Sequence, residues 1–148
     1  MPKTRLLAAA LIAFLPMTAC SRSEGRADGA RSSGPGVAFS SGSFDDALAR
    51  ARSEKRLVLV DVYTDWCGWC KKLDKEVFSD ARVAAATRDL VSVRVNAEEG
   101  GEKIAERFEV TGFPTILFVD GSGTVVKRIE GYVDAAEMLR ILSALPKA

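Results

Sequence analysis

The sequence predicts an α/β sandwich built on a mixed sheet. Short apolar runs of strand length alternate with helical patterns from residue 37 onward. Two of those runs, residues 57–63 (LVLVDVY) and 115–119 (TILFV), are almost wholly apolar, as central strands covered on both faces must be. Asp120-Gly121-Ser122-Gly123 supplies a hairpin turn between the last two strands. That hairpin is antiparallel, whereas the earlier helical crossovers favour parallel pairing, and the two together make the sheet mixed.

Taken in order, Val37-Ala38-Phe39 is a short candidate first strand. Ser43, with Asp46 three residues on, reads as the N-cap of a helix that carries Ala47, Leu48 and Ala51 and ends near Lys55-Arg56. Residues 57–63 form the next strand. A helix is expected from the C-x-x-C at Cys67 to about Val77, with Ser79 capping another short one. Residues 90–95 alternate as a strand, 102–108 read as a helix, and 115–119 and 124–129 are the hairpin strands. After Gly131, residues 135–145 place Met138, Leu139, Ile141 and Leu142 on a helical period.

Composition narrows the chemistry. A chain of 148 residues with 47% hydrophobic content is one domain with some spare length. It has no histidine, which excludes Ser-His-Asp and Cys-His hydrolases, His-ligated zinc or copper and His proton shuttles. With 21 Lys+Arg against 20 Asp+Glu there is no basic field for nucleic acid. The three cysteines divide into an isolated Cys20 and the pair Cys67 and Cys70.

The N-terminal segment is organised differently. Lys3 and Arg5 precede a ten-residue run without a polar group, residues 6–15. That run falls short of the ~20 residues needed to span a bilayer but suits a signal-peptide core. Pro16-Met17-Thr18-Ala19-Cys20 resembles the lipobox of bacterial lipoproteins, in which a small residue precedes the cysteine that is lipidated. The resemblance implies a signal peptide over 1–19 and a lipid on Cys20. Ser21 is not the aspartate that retains many such proteins at the inner membrane, which favours the outer membrane. From Ser21 to Gly36, nine of sixteen residues are Gly, Ser or Pro and none is large and apolar. Residues 20–36 are therefore expected to be a tether reaching roughly 20–25 Å, with residues 37–148 as the folded domain.

The pair Cys67 and Cys70 carries the chemistry. A zinc site would need two further good ligands, and a copper site histidine or methionine near the cysteines; neither is present, so no metal is expected. A disulfide closing so small a loop would constrain the unfolded chain little. Redox exchange remains. At the first turn of a helix Cys67 would have its thiolate stabilised by free N–H groups and the helix dipole, which makes it the nucleophile. Cys70, one turn on, returns to the same face and can resolve a mixed disulfide.

Trp66-Cys67-Gly68-Trp69-Cys70-Lys71 resembles the W-C-G-P-C-K active site of the thioredoxin superfamily, with tryptophan in place of proline. Gly112-Phe113-Pro114-Thr115 resembles its G-x-P-T, and Asp61 matches its buried aspartate. Further segments, Val77-Phe78-Ser79-Asp80 among them, resemble exported thioredoxin-like thiol–disulfide interchange domains. The resemblance implies a thioredoxin-like three-layer sandwich and a redox disulfide Cys67–Cys70. It implies a cis bond at Pro114 that leaves the Phe113 backbone free to pair with substrate, and Asp61 as proton acceptor for Cys70. Trp66 would pack and wall the site, and Trp69 would contact partners. Arg94 falls near a lysine that pairs with the buried aspartate, Lys71 could steer, and Glu98-Glu99 reads as a solvated loop.

The activity implied is thiol–disulfide exchange without a cofactor, by a monomer. Its partners would be disulfide-bearing envelope proteins, a membrane thiol electron donor, and the membrane itself through the anchor. Gly68-Trp69 supplies no charge to stabilise a reduced thiolate, which favours a reductase. An oxidase or isomerase, or a tethered client-binding module without turnover, are the alternatives.

Overall fold

The structure, a computed structural model, describes residues 36–147. The expected signal segment, Cys20 and the tether up to residue 35 lie outside those residues.

Five strands form one sheet in the order β1-β3-β2-β4-β5. β1 (Phe39–Ser40) and β2 (Val58–Tyr63) both pair parallel with β3 (Val91–Asn96). β4 (Thr115–Val119) runs antiparallel to β2 and to β5 (Val125–Glu130). The mixed sheet expected from the sequence is present, with β2 at its centre. Phe44, Ala47, Leu48 and Ala51 of α1 (Phe44–Glu54) pack on one face, together with Ile104 and Ala105 of α4 (Glu102–Arg107). The other face is covered by α2 (Gly68–Leu73), a π-helical turn (Asp74–Phe78), α3 (Ala81–Ala86) and α5 (Ala135–Ser143), through Leu73, Val77, Phe78, Val83 and Met138. Helices on both sides make the three layers. No helix among the described residues is long and apolar enough to cross a membrane.

The local chemistry explains most element boundaries. Ser43 accepts the Asp46 N–H at 3.1 Å and Asp46 accepts the Ser43 N–H at 3.0 Å, a complete capping box for α1. Gly101, before α4, has no room for a side chain: a Cβ there would lie 2.3 Å from the Asn96 carbonyl oxygen. In the hairpin the Asp120 carboxylate accepts the N–H groups of Ser122 and Thr124, and Gly123 takes φ 90°.

Three expectations shift. The first strand is displaced to Phe39–Ser40 because the Val37 N–H donates to the Phe78 carbonyl at 2.7 Å rather than to the sheet. Asp80, not Ser79, caps α3 by accepting the Arg82 N–H, while the Ser79 hydroxyl turns back to the Lys75 carbonyl. β3 does not alternate: Val91, Ser92 and Val93 are all buried, since the strand lies between β1 and β2 under both helical layers.

Candidate active site

β2 delivers the site at its C-terminal end. After Tyr63 the chain passes Thr64, Asp65 and Trp66 and reaches Cys67, which is the N-cap of α2 with extended backbone (φ −69°, ψ 105°). The Cys67 N–H donates to the Thr64 carbonyl at 3.2 Å, which fastens the turn. Cys67 and Cys70 are joined as a disulfide with their Cα atoms 5.3 Å apart. The Cys70 N–H donates to Cys67 Sγ at 3.1 Å. A hydrogen bond to a charged acceptor is roughly twice as strong as one between neutral groups, so a donor in this position favours a negative charge on Cys67 over a neutral sulfur. Both cysteines are buried, so exposure does not distinguish them. The N–H bond onto Cys67 does.

The second loop carries Phe113–Pro114, whose peptide bond is cis. Pro114 is buried, its carbonyl accepting the Gly131 N–H at 2.8 Å, and the Thr115 hydroxyl ties back to the Gly112 carbonyl. The Phe113 ring meets the Trp66 ring edge to face, centroids 6.0 Å apart. That contact sets the cis-proline loop against the C-x-x-C loop. Trp66 is 66% exposed, so its packing is limited to contacts such as that with Phe113.

The central strand carries a buried carboxyl group. Asp61 is 1% exposed in the central strand, opposite Arg94 of β3 in the sheet register. Arg94 Nε donates to Asp61 Oδ2 at 3.0 Å, and its terminal Nη2 donates to both Asp74 oxygens at 2.7 and 2.9 Å. The guanidinium is centred 4.6 Å from the Tyr63 ring and 5.3 Å from the Phe39 ring. Asp61 Oδ1 and the Thr64 hydroxyl, both buried, have no hydrogen-bond partner among the described residues. Burial pushes the Asp61 carboxyl up to about 6, against the opposing pull of Arg94. The pairing with Arg94, implied by the resemblance, is present geometrically.

Trp69 is 58% exposed, and its ring lies 5.6 Å from that of Tyr132. Lys71 is exposed. Four residues near the site escaped the sequence reading. Glu98, expected as solvated loop, accepts the Trp66 indole N–H with both carboxylate oxygens at 3.0 and 2.9 Å. Tyr132 and Lys72 flank Trp69. Asp74 had a signal: it sits on the stripe formed by Cys70, Leu73 and Val77, where a carboxylate needs a partner.

Comparison with known proteins agrees with this geometry. The family model for the thioredoxin-like domain matches residues 44–146. The thiol:disulfide interchange protein DsbD of Photorhabdus laumondii is 33% identical over 101 residues, which are 65% of this chain and 18% of that protein. The DsbD of Salmonella paratyphi A is 37% identical over 98 residues, 63% of this chain and 17% of its own length. The chain thus spans under a fifth of the curated relatives it matches. A solution structure from Bacteroides thetaiotaomicron, provisionally assigned as a disulphide-isomerase, is 41% identical with a TM-score of 0.66, covering 74% of this chain and 93% of that one. A thioredoxin from Thermus thermophilus is 30% identical with a TM-score of 0.62, covering 68% and 81%.

Proposed function

The chain belongs to the thioredoxin-like domain family and carries a thiol–disulfide oxidoreductase-type domain; from that premise we propose that it reduces protein disulfides in the bacterial envelope. The observation that carries the reading is the Cys67–Cys70 disulfide at the start of α2, with a backbone N–H directed onto Cys67 Sγ.

In the proposed cycle the Cys67 thiolate attacks a substrate disulfide. One substrate sulfur leaves as thiolate and the other stays bonded to Cys67. Cys70 gives its proton to Asp61 and attacks Cys67 Sγ, releasing the second substrate thiolate and closing Cys67–Cys70. Two electrons pass to the substrate. A carboxyl near pH 6 in its titration can take and return such a proton around neutrality. The Phe113 backbone beside Pro114 pairs with the substrate strand, and Trp66 and Trp69 contact it. A membrane thiol carrier restores the dithiol. Residues 1–19 direct export, a lipid on Cys20 anchors the chain, and residues 20–36 tether the domain beginning at 37.

No cation stands between the cysteines to stabilise the reduced form, which supports reduction. The Bacteroides relative's assignment supports an isomerase as the second reading. Equilibration against glutathione buffers separates them. We expect a potential towards thioredoxin's, about −270 mV; a value above about −180 mV would sink the reductase reading. Cys70→Ser should trap mixed disulfides with envelope proteins, and capture that survives loss of both cysteines would point to a binding module instead.

A further inference from the structure

Among the described residues only three large hydrophobic side chains are strongly exposed, Trp66, Trp69 and Val126. Two of these flank Cys67. Exposed aromatic surface beside a reactive group marks a contact surface, and here each indole comes with a charge of its own.

On one side the Glu98 carboxylate holds the Trp66 indole N–H with both oxygens, and the indole remains largely exposed although Phe113 meets it edge to face. Asp65, next in sequence to Trp66, is exposed and accepts from Asn96. An exposed indole beside a carboxylate is a receptor for an ammonium or guanidinium group. On the other side the Lys72 ammonium lies 5.0 Å from the Trp69 ring centre and 4.7 Å from that of Tyr132. Glu76 Oε2 forms an ion pair with Lys72 Nζ at 4.0 Å while accepting the Tyr132 hydroxyl at 2.7 Å, and the ion pair is too long to take up a hydrogen-bond donor of the ammonium. Lys72 therefore keeps free donors for a carboxylate.

We propose that these two walls read charge on either side of a partner's cysteine: the partner segment sets a basic side chain against Trp66 and Glu98 and an acidic one against Trp69, Lys72 and Tyr132. The occupant is an extended segment of a protein substrate with opposite charges flanking its cysteine. The polarity fixes which way the segment lies across Cys67. This deepens the exchange reading above and rests on it.

The test uses the full chain, reduced with dithiothreitol that is then removed. The probes are two short neutral peptides, each with one cysteine joined by a disulfide to 2-mercaptoethanol. One carries Glu two residues before the cysteine and Lys two residues after; the other reverses them. Each exchange closes Cys67–Cys70 and releases the peptide thiol and 2-mercaptoethanol. One order should react about three- to tenfold faster at low ionic strength, the ratio shrinking as salt screens the exposed charges. The double swap Lys72→Glu with Glu98→Lys should invert the ratio, and Lys72→Gln with Glu98→Gln should bring it towards one. Because the readout is a ratio within each protein, a variant that is slower overall still reports. Equal rates for the two orders, or a ratio the swap leaves in place, overturn the proposal while the exchange reading stands. If the wild-type chain also fails to exchange with uncharged bis(2-hydroxyethyl) disulfide, the exchange reading falls and takes this one with it.

Discussion

Val58, Val60 and Val62 point to one side of β2, where they join Leu117, Val119 and the α1 side chains in a cluster without a charge. Leu59, Asp61 and Tyr63 point to the other side, where the run of apolar residues is interrupted by a carboxylate. The same six-residue strand thus faces an ordinary core on one side and, on the other, a buried carboxyl group paired with the part-exposed Arg94, which also binds Asp74. Removing a charge from water costs more than such a pairing repays in stability. The side that breaks the core rule is also the side from which α2 brings Cys70. Both faces carry a packed core, and only the second also accommodates the proposed proton chemistry.

The division can be broken most forcefully from the apolar side. Leu117→Ala should cost about 2–5 kcal/mol in denaturant unfolding, with the pH dependence of stability and the redox potential left as they were. A potential that moved with it would show that the two faces are not independent. From the charged side, Asp61→Asn should stabilise the protein. The folded carboxyl titrates near 6 against 3.8 for the ordinary group, so the folded state holds the proton more tightly. The contribution of Asp61 to stability is therefore fully present below pH 4 and is lost as pH rises through 6. The asparagine variant escapes that loss and should gain on the order of 2–3 kcal/mol at pH 7, with little gain at pH 3. Unfolding curves across that range measure it. Arg94→Gln should give the smallest change. It removes the cation from Asp61, so the carboxyl should titrate still higher. Because Arg94 is partly exposed, the cost at pH 7 should be about 1–2 kcal/mol, shrinking below pH 4. A loss that is flat with pH would mean Arg94 acts by packing on Tyr63 and Phe39 alone.

Much of this was readable in the sequence because it depends on near neighbours. The capping box at Ser43 and Asp46, the apolar runs of β2 and β4, the hairpin at Asp120 and the cysteine spacing are all local patterns, and the structure contains each. The π-helical turn at Asp74–Phe78 was not legible, since residues 68–77 carry an unbroken helical periodicity. Asp74 meets Arg94 only after β2 and β3 have paired in one register, 20 residues along the chain. Glu98 and Trp66 are 32 residues apart, and Tyr132 and Glu76 are 56 apart. No periodicity links such positions; only the folded sheet brings them together. The signal common to the misses was a polar residue on a stripe or loop that adjoins the cysteines.

Phe39 lends practical weight to the first strand. The family match begins at residue 44, and a chain cut there would keep every motif of the C-x-x-C and cis-proline loops. It would lose the two residues of β1 that pair with β3, the Val37 N–H held by Phe78, and the aromatic ring that lies over Arg94. A shortened chain that is to keep this shield over Arg94 should therefore begin no later than Gly36, several residues upstream of where the family match starts.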